Sequence, residues 1–182
     1  MDVFVAKSRA KPLRVALLSD THGVLDQRIA LLVRECEYAV HAGDIGDASV
    51  LDALRPRTGR VVAVRGNNDT RITWPAAQRR RLQSLPDAAQ LMLPGGALVV
   101  VHGDRYGPAL RRHARLRALF PDAAAIVYGH SHKLVCDCEL WPWVLNPGAA
   151  GRARTFGGPS CLLLQIDTAK WRVQVRRYAF AG

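Results

Sequence analysis

Apolar, β-branched runs punctuate the chain at residues 15–18, 39–40, 61–64, 98–101 and 126–128. Each has the length of a buried strand and is too short for a helix. Between the first two, Ile29, Leu32, Val33 and Cys36 recur at helical spacing. Between the second and third, Asp47 is an apt N-cap for a helix that carries Val50, Leu51 and Leu54 and ends before Pro56. Alternation of this kind requires crossovers, so neighbouring strands should run parallel, with helices packed on a face.

Residues 70–87 are polar, basic and interrupted by Pro75 and Pro86, which predicts a surface excursion with a short helix. Apolar runs at 91–93 and 97–101 flank Pro94, Gly95 and Gly96, a hairpin signal. A further helix should begin at Pro108 and bury Ala109, Leu116 and Phe120. His113 shares that stripe and reads as a packed or hydrogen-bonded histidine rather than a ligand. The last third turns to strands, at 134–138, 143–145, 161–166 and 171–178. In the final one Trp171, Val173 and Val175 alternate with Arg172, Gln174 and Arg176, one face for the core and one for water. The expectation is an α/β fold, a single domain over 1–182 with two sheets flanked by helices. Residues 1–11, basic and without an apolar h-region, read as a flexible leader.

Composition narrows the class. A chain of 182 residues that is 49% apolar can bury a sizeable single core. It has no run of 18 apolar residues, so no membrane-spanning helix is expected. Cys36, Cys136, Cys138 and Cys161 show neither zinc-knuckle nor redox spacing, and are expected as reduced thiols of a cytoplasmic protein. The formal charge of +11 gathers at arginines 79–81, at Arg111, Arg112, Arg115 and Arg117, and at Arg176 and Arg177. It suits an anionic partner, nucleic acid included, or simply a solvated surface, and no nucleic-acid reader motif accompanies it. Nothing in the pattern specifies an oligomeric state.

The candidate chemistry sits directly after the five apolar runs. Asp20 and His22 follow the first, Gly43-Asp44 the second, Gly66-Asn67 the third and His102 the fourth; Gly129, His130, Ser131 and His132 follow the fifth. Four of the six histidines fall in these patches. Alternate-residue spacing in Asp20/His22 and His130/His132 aims paired side chains one way. Two carboxylates, one amide oxygen and four imidazoles suit two borderline divalent cations, Mn²⁺, Fe²⁺ or Zn²⁺, better than Mg²⁺ or Ca²⁺. Two such ions ~3.5–4 Å apart clamp and polarise a phosphoryl group and lower the pKa of a bridging water. Asp44, whose two oxygens can each face one cation, is the expected bridge. His41 reads either as a core or supporting histidine or as a ligand. Arg65, Arg152 and Arg154 are placed between a surface role and contact with substrate phosphate.

In this order the five patches resemble the calcineurin-like metallophosphoesterases, whose pattern is Asp-x-His, Gly-Asp, Gly-Asn-x-Asp/Glu, His and Gly-His-x-His. The likeness is greatest to their small single-domain bacterial and archaeal phosphodiesterase branch, and runs from about Leu13 to Ile166 with the turn at Asn146, Pro147 and Gly148. It implies a four-layer αββα sandwich of two mixed sheets, with a dimetal site at the C-terminal ends of strands. One ion would take Asp20, His22, Asp44 and His132, and the other Asp44, Asn67, His102 and His130. Mn²⁺ is the expected metal, with Fe²⁺, Zn²⁺ or Ni²⁺ as alternatives. Asp69 would orient its neighbours. Two departures from the pattern bear on leaving-group protonation: Asn68 stands where many relatives have histidine, and Asp104 where small-branch relatives continue Gly-His. Asp104 is either a substitute acid or a carboxylate beside Arg105. The implied function is hydrolysis of a small anionic phosphodiester by metal-bound hydroxide. The alternatives are a protein-interaction scaffold of the same fold, a nuclease or a phosphomonoesterase.

Overall fold

A computed structural model describes residues 12–180, so the expected leader at 1–11 lies outside the described residues. In chain order the first half runs β1 (Leu13–Leu18), α1 (Gln27–Val33), β2 (Tyr38–His41), α2 (Ala48–Ala53), β3 (Val61–Ala63), a 3-10 turn and α3 (Arg79–Gln83). The second half is β4 (Ala88–Leu93), β5 (Gly96–Val101), α4 (Ala109–Leu119), β6 (Ala123–Val127), β7 (Leu134–Asp137), β8 (Trp143–Pro147), β9 (Ser160–Asp167) and β10 (Lys170–Arg177). One five-stranded sheet has the order β10-β9-β1-β2-β3 and the other β4-β5-β6-β8-β7. Both are mixed. The strands β1, β2 and β3 are mutually parallel, as are β5, β6 and β8, while hairpins close the remaining edges.

The period of two along each strand builds the layers. Val15 and Leu17 of β1 face the second sheet, whereas Ala16 and Leu18 face α1 and α2. Leu162 and Leu164 of β9 point inward while Leu163 points out. Across the interface Leu98 and Val100 of β5 join the same central core, and Val99 and Val101 turn to Leu116 of α4. Three apolar layers therefore separate four layers of secondary structure, the αββα sandwich that the sequence resemblance implied.

Local signals account for the helix boundaries. Asp47 caps α2, its side chain accepting from the Ser49 amide, and Asp26 does the same for α1 through Arg28. Three expectations are corrected. Helix α1 ends at Val33, so Cys36 lies in the following turn, where its thiol donates to the Leu32 carbonyl. Ala109 is exposed, because the buried stripe of α4 begins a turn later with Arg112 and Leu116. Val175 is 46% exposed, since β10 is an edge strand and the β4–β5 turn covers only its Trp171 end, where Trp171 Nε1 donates to the Pro94 carbonyl. All four cysteines are unpaired, and no helix among the described residues is long and apolar enough to cross a membrane.

Leu98, fully buried between the sheets, and Val175 on the edge should respond very differently to truncation. Leu98→Ala is expected to cost ~2–5 kcal/mol in urea denaturation. Val175→Ala is expected to cost no more than about 0.5 kcal/mol. Equal losses would contradict this layer assignment.

Candidate metal centre

All six parallel strands end at the same edge of the sandwich, and that edge carries the predicted ligands. Asp20 and His22 follow β1, Asp44 follows β2, Asn67 follows β3, His102 follows β5, and His130 and His132 follow β6. Backbone bonds lace these loops together: Asp20 N donates to Gly43 O (3.0 Å), His22 N to Asp44 O (3.0 Å) and Gly129 N to His102 O (2.9 Å). Asp20, His22, Asp44, His130 and His132 all adopt left-handed backbones, with φ between 48° and 67°. Two glycines are required for close approach. A Cβ on Gly43 would lie 2.6 Å from His102 Nδ1, and one on Gly66 would overlap the Asp44 carboxylate.

The donors converge in two groups that share Asp44. Asp20, His22, Asp44 and His132 each offer an atom within 4.8 Å of the others. Within that group His22 Nε2 stands 3.2 Å from His132 Nε2, which in turn is 3.4 Å from Asp20 Oδ1. In the second group His102 Nε2 and His130 Nδ1 lie 3.0 Å and 2.9 Å from Asn67 Oδ1. The Asp44 carboxylate faces both ways, Oδ1 at 3.4 Å from His102 Nε2 and Oδ2 at 3.9 Å from His22 Nε2. Backbone carbonyls set two tautomers. His102 Nδ1 donates to Ala42 O (2.8 Å) and His132 Nδ1 to Ala153 O (3.3 Å), which turns each Nε2 toward the centre.

Electrostatics agree with a site built for cations. Burial pushes the Asp20 carboxyl up to about 7. Its Oδ2 is buried without any hydrogen-bond partner. Burial opposes ionisation of Asp44 too, yet His102 and the Asn68 hydrogen bonds outweigh it and hold that carboxyl well below the usual range. Burial lowers His22, His130 and His132, which favours the neutral imidazoles that metals bind. His102 rises because its bond to Asp44 overcomes burial. An orphaned carboxylate oxygen, two imidazole nitrogens facing each other and a mixed nitrogen–oxygen donor set fit a pair of divalent cations.

The other predicted residues are sorted by their contacts. Asp69 does not enter the site; its buried carboxylate accepts from Gly66 N (2.8 Å), Ile45 N (3.2 Å), Gly46 N (2.9 Å) and Trp74 Nε1 (2.9 Å), binding two ligand loops to each other. Asn68 grips Asp44, donating from Nδ2 to Oδ2 (2.6 Å) and from its amide to Oδ1 (2.8 Å). Asp104 stands on the wall of a cavity of about 470 Å³ beside Asn67, its carboxylate 3.9 Å from Arg105 Nε. His41 is a supporting residue: its Nε2 lies 2.9 Å from the Thr21 hydroxyl, and burial lowers it to about 4. Arg65 is tied to Asp87 at 2.7 Å and Arg152 is exposed. Arg154 is exposed as well, yet its Nη2 reaches 3.1 Å from His132 Nε2.

Asn146 is a participant that the motif pattern does not single out for a role. Fully buried at the end of β8, it donates to Gly129 O (2.8 Å) and Ser131 Oγ (3.1 Å), and its Oδ1 accepts from Gly148 N. An amide ending an apolar strand was the available signal. Trp74, in the basic excursion, shows no comparable signal in sequence.

Comparison with known proteins follows the same lines. The chain is 28% identical to a probable metallophosphoesterase of Methanocaldococcus jannaschii over 143 residues, 74% of this chain and 67% of that protein. In fold it is similar to Vps29 of Entamoeba histolytica complexed with Zn²⁺, with a TM-score of 0.67, 19% identity and coverage of 91% and 98% of the two chains. It is also similar to an archaeal phosphodiesterase, with a TM-score of 0.64, 20% identity and coverage of 90% and 100%. Residues 13–169 match the calcineurin-like phosphoesterase superfamily domain, and the chain belongs to that superfamily.

Proposed function

We propose that this protein is a dimetal-dependent phosphodiesterase acting on a small anionic phosphodiester. One ion would be held by Asp20, His22, Asp44 and His132 and the other by Asp44, Asn67, His102 and His130. The observation that carries this reading is the Asp44 carboxylate, directed with one oxygen toward each histidine group. When bound, the ions would polarise the phosphoryl group and supply an acidified water as nucleophile. The chain's own residues hold the geometry: Asn68 and the Gly66 turn fix Asp44, Asp69 couples the loops of Asp44 and Asn67, and Ala42 and Ala153 carbonyls fix the imidazoles.

Preference for a diester is supported by the lack of a free imidazole beside the donor set. Asn68, a carboxamide, has no acidic proton for a leaving group and is committed to Asp44. The two histidines outside the donor set are engaged elsewhere, His41 with Thr21 and His113 with Asp137 and Tyr128. A good leaving group departs without such an acid, whereas an alkyl monoester needs one. The likeness to Vps29 supports a second reading, a protein-interaction subunit, at the level of fold. Presence of every donor that the family pattern asks for favours catalysis.

Elemental analysis should find two divalent ions per chain after loading, with activity lost on chelation and restored best by Mn²⁺. Asp44→Asn should be the most damaging single change, since it removes the one carboxylate charge that both cations would share. One ion or fewer per chain after Mn²⁺ loading would refute the dimetal assignment.

Metal binding should also depend on pH with a definite sign. An unfolded aspartate ionises near 3.8, whereas burial holds Asp20 to about 7 in the metal-free fold. The metal-free protein therefore loses stability as pH rises between those values, and a cation that replaces the proton recovers it. Mn²⁺ should raise the melting temperature more at about pH 8 than at about pH 5.5. The opposite order would exclude Asp20 as a ligand.

Aryl phosphodiesters should be cleaved faster than alkyl phosphomonoesters. A positioned acid is worth ~10²–10⁴ in rate, so Asn68→His should raise alkyl monoester turnover selectively. A wild type that already prefers alkyl monoesters, or an unchanged ratio in Asn68→His, would overturn the diester assignment.

A further inference from the structure

We propose that Arg154 binds the non-bridging phosphoryl oxygens of the substrate, making it a substrate-contacting residue contributed by the loop after β8. The inference rests on the phosphoesterase reading above and adds the group that recognises the anion.

Four observations lead there. First, β8 is the sixth parallel strand, and its C-terminal loop emerges at the ligand edge beside the loop after β6. Second, the guanidinium is aimed at the site: Nη2 lies 3.1 Å from His132 Nε2, the imidazole nitrogen that also faces Asp20 and His22. Third, the loop is held in that register, because the carbonyl of the preceding residue, Ala153, accepts from the other nitrogen of the same ring. Fourth, a cavity of about 330 Å³ lined by His22, Gly46, Asn68, Thr73 and Arg154 opens beside this group of donors.

Charge decides what the guanidinium is for. Arg28, Arg65, Arg105 and Arg117 are each paired with a carboxylate, but among the described residues no carboxylate lies within ion-pair distance of Arg154. Its one polar contact is with a nitrogen whose lone pair a cation would take. Once that lone pair is used, Arg154 is a positive charge beside positive ions with five donors and no acceptor. An anion bound over the ions resolves that repulsion and satisfies the donors. Phosphoryl oxygens suit it, since the planar fork of arginine matches their geometry and a lysine does not. As the bond from water to phosphorus forms and the bond to the leaving alcohol breaks, charge accumulates on these same oxygens, so the contact strengthens in the transition state.

The test uses Arg154→Ala and Arg154→Lys in the Mn²⁺-loaded full chain, with inorganic phosphate as the binding probe in calorimetry. Arg154→Ala should keep the wild-type metal content and melting temperature, bind phosphate at least about tenfold more weakly, and lose ~10²–10³ in kcat/KM toward an aryl phosphodiester. Arg154→Lys should recover part of both losses. Unchanged phosphate affinity in Arg154→Ala, beside a wild type that hydrolyses diesters, would overturn the Arg154 assignment and leave the phosphoesterase reading standing. So would a variant with tighter metal binding and unaltered turnover, which would make Arg154 merely a competitor for His132. A metal-loaded wild type without phosphoester hydrolysis would overturn both.

Discussion

Everything at the ligand edge depends on the dry contact between the two sheets. Val15, Leu17, Val40, Leu162 and Leu164 on one side meet Leu98, Val100, Ala125, Val127 and Leu145 on the other. Burying one such side chain contributes roughly 1.5–3 kcal/mol. The interface stabilises the fold, and it also sets the relative height of two parallel strand groups that never hydrogen-bond to each other. His102, His130 and His132 come from one sheet and Asp20, His22, Asp44 and Asn67 from the other. A shift between the sheets would separate the two halves of every ligand group. The geometry of the candidate donors is thus set by apolar packing one layer below.

Above that layer, polar lacing takes over. Asp69 collects three backbone amides and the Trp74 indole, so the loops carrying Asp44 and Asn67 behave as one body. Asn146 does the equivalent on the far side by binding the loop of His130 and His132 to the turn at Gly148, whose carbonyl accepts from Ser19 Oγ next to Asp20. Each bond is modest alone, but a buried donor left without its partner costs about 1–3 kcal/mol. Two buried atoms beside the site lack a partner, His41 Nδ1 behind Thr21 and Asp20 Oδ2 among the candidate donors, and at the second a cation would supply what is missing.

Much of this was legible in the sequence because two independent patterns coincide. Short apolar runs located the parallel strands, and metal-ligand residue types stood at their ends; together they specified the fold class and placed the candidate donors at one edge. Elements whose burial depends on a distant neighbour were harder to read. The alternation in β10 correctly predicted a two-faced strand, but whether Val175 is covered depends on where the β4–β5 turn stops, and no residue of β10 encodes that. Ala109 failed for a related reason: helical spacing gives the stripe, not the turn at which the stripe meets the sheet. Arg154 is the most instructive case. Its sequence context is that of an exposed loop arginine, which it remains, and the docking of Ala153 against the His132 ring is what brings its guanidinium to the donor group.

The left-handed backbones of Asp20, His22, Asp44, His130 and His132 narrow which residues could ever serve there. That region of φ is costly for most side chains and is tolerated best by glycine, asparagine, aspartate and histidine. Removing glycine, which has no donor, leaves a short alphabet whose members are also oxygen and nitrogen ligands. Steric selection and coordination chemistry therefore draw on nearly the same residues. Glutamate, which carries the charge of aspartate on a longer stem, satisfies the second demand and not the first. In evolutionary terms the edge is a filter: a lineage that drops the metal has no steric reason to replace these residues with bulky or branched ones, and a lineage that keeps it has few substitutes to explore.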